Sequence, residues 1–241
     1  MTALPVVEVF GPTIQGEGEL AGEPTVFVRF GGCDFRCSWC DSLHAVLPDE
    51  VRRAPRLEAA AIVVQLDALP AAPEWVTLSG GNPALLELGE LVALLHAAGR
   101  RVTVETQGSV WRDWLAAVDL LTVSPKPPSS GMASPENEAA AERFLATALA
   151  ADVRAVLKIV VFDEADYTWA SALRVRHADL PFHLSCGTDP PAAGQPHAEA
   201  LLGVAHRYRW LCERASADPA MDGARILPQL HVLAWGHLRG H

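Results

Sequence analysis

The chain has no apolar run near the roughly 20 residues that span a bilayer, so a helical membrane segment is not expected. Its first residues, Met1-Thr2-Ala3-Leu4-Pro5, lack the basic-then-apolar form of an export signal. Basic residues are in deficit. Lys and Arg number 19 against 29 Asp and Glu, and the formal charge of −10 argues against general nucleic-acid binding. Cysteine is sparse, 5 in 241 residues, which is no framework for a small disulfide-stapled secreted domain. Hydrophobic residues at 50% and charged residues at 20% fit a folded globular chain rather than a disordered one. The length suits one domain over residues 1–241, with no internal repeat.

What is present is a regular alternation. β-rich runs are expected at Thr25–Phe30, Glu74–Leu78, Arg101–Glu105, Leu120–Ser124, Ala155–Phe162 and Pro181–Ser185. Helical patterns lie between them, near Leu57–Leu69, Pro83–Ala98, Val110–Ala117, Glu136–Ala150, Glu164–His177 and His197–Ala215. Ser134-Pro135-Glu136 reads as a helix start and Gly99 as a stop. The alternation predicts an α/β protein with about six parallel strands, whose ligand-binding loops gather at the strands' C-terminal ends. The Pro/Ser-rich stretch Ser124–Ser134 is expected to be a mobile loop.

Three cysteines sit directly after the first expected strand, in Gly32-Cys33-Asp34-Phe35-Arg36-Cys37-Ser38-Trp39-Cys40-Asp41. Cys33, Cys37 and Cys40 can hold three irons of a [4Fe–4S] cluster and leave the fourth open to a small molecule, whereas a purely electron-transferring cluster has four protein ligands. The aromatic at position 39 can cover one cluster face. A structural zinc site would want a second Cys or His pair. Only His44 stands nearby. Free thiols point to a reducing cytoplasm.

Further motifs fall just after expected strands. Leu78-Ser79-Gly80-Gly81-Asn82-Pro83 can bring backbone amides close to a ligand, or can be a plain βα turn with proline at the first helical position. Glu105-Thr106-Gln107-Gly108 and Ser124-Pro125-Lys126 place polar groups at the next two strand ends. Lys158 stands inside an apolar strand, so it either faces a site or snorkels outward. Arg29 interrupts another apolar strand and needs an anion, either a ligand carboxylate or a structural partner such as Glu17 or Glu23. Cys186 and Cys212 read as small buried hydrophobes.

The Cys-x3-Cys-x2-Cys spacing resembles that of radical S-adenosylmethionine (SAM) enzymes. Gln15-Gly16-Glu17-Gly18, Phe27-Val28-Arg29-Phe30, the cysteine run, Ser79-Gly80-Gly81-Asn82-Pro83, Glu105-Thr106-Gln107-Gly108, Ser124-Pro125-Lys126 and Pro228-Gln229-Leu230-His231 come in the order found in the 7-carboxy-7-deazaguanine synthase family. The resemblance runs from about Glu8 to Gly236.

It implies an incomplete (β/α) barrel and a lyase that turns 6-carboxy-5,6,7,8-tetrahydropterin into 7-carboxy-7-deazaguanine with loss of ammonia, in 7-deazapurine (queuosine-type) biosynthesis. It implies substrate contacts from Ile14, Gln15, Gly16, Arg29, Ser79 and His231. SAM contacts would come from Gly81, Glu105, Ser124, Pro125 and Lys126, and Mg²⁺ would sit on Ser42, where most relatives carry Thr. It also implies a homodimer and an electron donor such as flavodoxin or ferredoxin. Asn82 replaces the commoner Glu of the glycine-rich segment. The tail His237-Leu238-Arg239-Gly240-His241 runs past the usual end. An activase of a glycyl-radical enzyme shares the cysteine triad but has no reason for Arg29 or the Gln-Gly-Glu-Gly segment. A non-catalytic metal- or RNA-binding module fits neither the acidic balance nor an open cluster position.

Overall fold

A computed structural model describes residues 2–189, 197–236 and 238–240. The six expected strands are present as β2 (Pro24–Phe30), β4 (Trp75–Gly80), β5 (Arg101–Thr106), β6 (Leu120–Val123), β7 (Ala155–Val161) and β8 (Phe182–Cys186). Three more were not foreseen: β1 (Leu4–Ile14), β3 (Arg56–Leu57) and β9 (Arg225–Leu227). They form one nine-stranded sheet in the order β3-β1-β2-β4-β5-β6-β7-β8-β9. The run from β2 to β9 is parallel, while β1 pairs antiparallel with both β2 and β3. Among the described residues β9 does not pair back to β3, so the sheet curls without closing.

Among the described residues seven α-helices accompany it: α1 (Pro48–Arg53), α2 (Ala59–Asp67), α3 (Gly89–Ala97), α4 (Pro135–Ala150), α5 (Glu164–Arg176), α6 (His197–Ser216) and α7 (Leu230–Trp235). Ser134 caps α4 by accepting from Asn137 N, and Gly99 follows α3 at φ +72°. Two expected helices are shorter than the sequence suggested. Pro83–Leu85 is a 3₁₀ turn capped by Asn82, after which extended Leu86 precedes α3. Val110–Ala117 holds only the 3₁₀ turn Asp113–Ala117, where Trp114 Nε1 donates to Leu86 O at 2.9 Å. No helix of the described residues is long and apolar enough to cross a membrane.

The strands' period of two separates two faces. Val26, Val28, Val76, Leu78, Val102, Val104, Leu157 and Ile159 belong to the main core against the helices. The alternate residues form the concave face in layers. Trp75, Leu120 and Val156 make an apolar base with Leu20 inserted from the β1–β2 connection. Above it Thr25 and Thr77 share a hydrogen bond at 2.8 Å. Higher still lie Arg29, Ser79, Glu105, Ser124 and Lys158, the polar layer that the strand ends offer to a ligand.

Candidate active site

The cysteine loop leaves β2 at the sheet's C-terminal edge. Cys33, Cys37 and Cys40 are half-buried and line one cleft of about 260 Å³. The glycine-rich turn supports the loop from below, with Gly81 N donating to Phe30 O at 3.0 Å and Asn82 N to Gly32 O at 2.7 Å. A Cβ on Gly80 or Gly81 would fall 2.0 Å from Phe30 O or Gly32 O, so this approach demands glycine. These glycines therefore serve first to seat the cysteine loop, though Gly81 also lines the cleft.

The stretch Ser124–Ser134 is tied on both sides. Ser38 N donates to Ser130 O at 3.0 Å, and Trp39 Nε1 donates to Ser129 Oγ at 2.9 Å. Ser129 in turn donates through N and Oγ to buried Asp166 at 2.8 and 2.6 Å. Trp39 packs on Phe162 with ring centroids 5.2 Å apart.

All five cysteines are free thiols. Burial pushes Cys33, Cys37 and Cys40 upward, the last to about 11, although Lys126 draws the first two down. Such sulfurs ionise when a metal takes the proton's place. Among the described residues no three His, Cys, Asp or Glu side chains are grouped to share one ion. A cubane gives each thiolate its own iron, and three half-buried thiols from one loop lining one cleft fit that demand. His44, the zinc alternative, lies instead 3.2 Å from Glu8 Oε1.

Arg29 is paired, but with neither Glu17 nor Glu23. Its Nε donates to Glu8 Oε1 at 2.6 Å, and Nη1 donates to Ser42 Oγ at 3.2 Å. Burial would raise the Glu8 carboxyl, yet His44 and Arg29 hold it down to about 2. Ser42 Oγ donates onward to Asp41 Oδ1 at 2.7 Å. Glu8 escaped notice in the sequence because Pro5, Gly11 and Pro12 disguise β1 as a loop.

The cleft's polar layer joins both ends of the chain. Lys158 faces inward and donates to Glu17 Oε2 at 2.5 Å, while Gln229 Nε2 donates to Glu17 Oε1 at 3.0 Å. Burial would raise Glu17 and lower Lys158. Their attraction reverses both, bringing Glu17 to about 2 and holding Lys158 above its ordinary value. Gln15 Nε2 donates to Glu105 Oε1 at 3.2 Å. Leu230 N donates to Gly16 O at 2.9 Å, and a Cβ on Gly16 would fall 2.0 Å from His231 Nδ1. Lys126, half-buried beside Ser124 Oγ at 3.0 Å, is pushed down by burial.

Every expected contact residue lines this one cleft except Pro125, which turns to the far side of its loop. Ser79 Oγ is buried there with no hydrogen-bond partner among the described residues, as a ligand-facing hydroxyl would be. Leu238, Arg239 and Gly240 reach the cleft as well, whereas His237 and His241 lie outside the described residues. Cys186 is buried at the end of β8 and Cys212 lies on α6, and neither lines the cleft.

No protein-family model matches the chain. A Bacillus cereus protein named 7-carboxy-7-deazaguanine synthase is 40% identical over 245 residues, covering 100% of both chains. The Bacillus subtilis protein of that name is 39% identical over 243 residues, covering 98% of each. The crystal structure of QueE from Escherichia coli superposes with a TM-score of 0.66 at 21% identity, covering 95% of this chain and 94% of that one. At that identity the likeness speaks for the fold.

Proposed function

The chain belongs to the 7-carboxy-7-deazaguanine synthase family of radical SAM enzymes, and from that premise we propose how its residues divide the work. The reaction turns 6-carboxy-5,6,7,8-tetrahydropterin into 7-carboxy-7-deazaguanine and ammonia, without net oxidation. The observation that carries this reading is the convergence of three half-buried thiols, the Arg29–Ser42 pair and the unpartnered Ser79 hydroxyl in one cleft.

Cys33, Cys37 and Cys40 would hold the [4Fe–4S] cluster, and Gly81, Glu105, Ser124 and Lys126 would hold SAM, with Pro125 fixing the chain direction between the last two. When bound, the two supply the hydrogen-abstracting radical at the pterin. Arg29 binds the substrate carboxylate through the part of its fork that Glu8 and Ser42 leave open. Ser42 offers a hydroxyl to Mg²⁺, with substrate oxygens and water filling the shell. Ile14, Gln15, Gly16, Ser79 and His231 position the ring. Phe10, Phe27, Trp39 and Phe162 line the same cleft and keep water from it. On the family's pattern the enzyme works as a cytoplasmic homodimer with a donor such as flavodoxin or ferredoxin, in 7-deazapurine (queuosine-type) synthesis.

Anaerobic incubation with SAM, a reductant and 6-carboxytetrahydropterin tests this. The expected result is a product of the deazapurine's mass with one ammonia per turnover and SAM regenerated. Iron-replete protein that leaves the pterin unchanged would overturn it.

A further inference from the structure

Asp34, between the first cluster cysteine and Phe35, is held from two directions. Asn82 Nδ2 donates to its Oδ1 at 3.1 Å and Gln107 Nε2 donates to the same oxygen at 2.5 Å. Asn82 is 1% exposed and Gln107 5%. Every hydrogen-bonding capacity of the Asn82 amide is taken. Its Nδ2 also donates to Ser109 Oγ at 3.0 Å, and its Oδ1 accepts from Thr106 Oγ1 at 2.8 Å and Ala84 N at 3.2 Å. Gln107 Nε2 also lies 3.7 Å from Cys33 Sγ, which accepts from Phe35 N at 3.4 Å as well.

We propose that Asn82, Asp34 and Gln107 form a latch that positions Cys33 and tunes the metal centre, with Gln107 donating to the ligating sulfur and Asp34 setting a negative charge beside it. The latch rests on the assignment of the cluster to Cys33, Cys37 and Cys40. N–H donors to a ligand sulfur stabilise the reduced, more negative cluster, and a neighbouring carboxylate opposes it. The two groups therefore act on the potential with opposite sign. A carboxylate at position 82 would itself be buried and would face the more exposed carboxylate of Asp34 at hydrogen-bond distance, and like charges so placed repel. An amide at position 34 would remove the conflict, because its nitrogen could donate to the new carboxylate while its oxygen still accepts from Gln107. The Ser109 and Thr106 hydroxyls and Ala84 N remain as donors to position 82 in that arrangement.

The test is the set Asn82→Asp, Asp34→Asn, their double exchange and Gln107→Met, each reconstituted with iron and sulfide. Iron per chain after a chelator challenge and the midpoint potential from EPR-monitored titration are read. Asn82→Asp should lose iron faster than the native chain, and the double exchange should restore retention. Gln107→Met should shift the potential negative and Asp34→Asn positive, opposite signs that loosened packing alone would not produce. If Asn82→Asp fails to fold, the two single-residue potentials decide. An exchange no better than Asn82→Asp, or potentials that do not move in opposite directions, would overturn the latch alone. A native chain that takes up no iron would overturn the cluster assignment, and the latch with it.

Discussion

Lys158 and Glu17 lie 141 positions apart in the chain and meet at 2.5 Å, fastening the inner strand β7 to the β1–β2 connection that fills the curled sheet. Both side chains are nearly buried, at 7% and 11% exposure, so each is the other's main source of compensation. Removing one partner of such a pair typically costs about 3–5 kcal/mol, because the remaining charge stays buried. Glu17→Gln should therefore lower the unfolding free energy by about that amount, and Lys158→Met similarly. The double variant should lose less than the sum, which denaturant titration of all three will show.

The same pair gives a pH signature. Glu17 falls from an ordinary 4.5 to about 2, so its contribution is whole above about pH 4.5 and fades as pH drops toward 2. Lys158 is raised above its ordinary 10.5, so its contribution is whole below that value and fades as the solution becomes more alkaline. The contribution of this pair should be flat between these limits. Glu17→Gln should take away part of the acid-side slope, and an unchanged slope would remove Glu17 as its source.

Arg29→Lys keeps the charge but loses the planar fork. A charge-assisted hydrogen bond contributes about 1.5–3 kcal/mol, so pterin affinity should fall about tenfold or more while SAM affinity holds. Binding titrations with each ligand separate the two outcomes.

Ser42→Ala should abolish the response of turnover to added Mg²⁺ while iron content stays at the native level. Ser42→Thr should keep the response. A full response from the alanine variant would move the metal off Ser42, to Asp41, whose Oδ1 is 2.7 Å from the Ser42 hydroxyl, or elsewhere.

Cys186→Ala and Cys212→Ala should retain iron, since neither residue lines the cleft. Cys33→Ala should not. Iron per chain, measured on purified protein, decides each case.

Six of the seven parallel strands were legible because each is a short β-branched run, four of them ending in a chemical motif, and all six stand within two residues of their expected bounds; the three-residue β9 was too short to read. The first strand was not. Its prolines and glycine read as turn signals, whereas in the fold they sit beside register shifts between Val6 and Glu8 and between Phe10 and Thr13. Hiding β1 also hid Glu8, and with it the true partner of Arg29. Spacing could place three thiols and a lysine near one another, but not say which carboxylate each cation takes. Pairings such as Glu17 with Gln229, 212 positions apart, arise only from the curl of the sheet. Asn82 was legible as a departure from the family's usual residue, but its bond to Asp34 was not.

The clasp of Gly16 by Leu230 and His231 bears on how the enzyme comes into being. The thiols and most of the sheet are already synthesised when α6 ends, yet one wall of the cleft is still missing until Gln229–His231 arrives. A chain that stops short of these residues would lack that wall whatever its thiols hold. Enclosure of a substrate thus depends on residues far downstream of those that line the floor of the cleft.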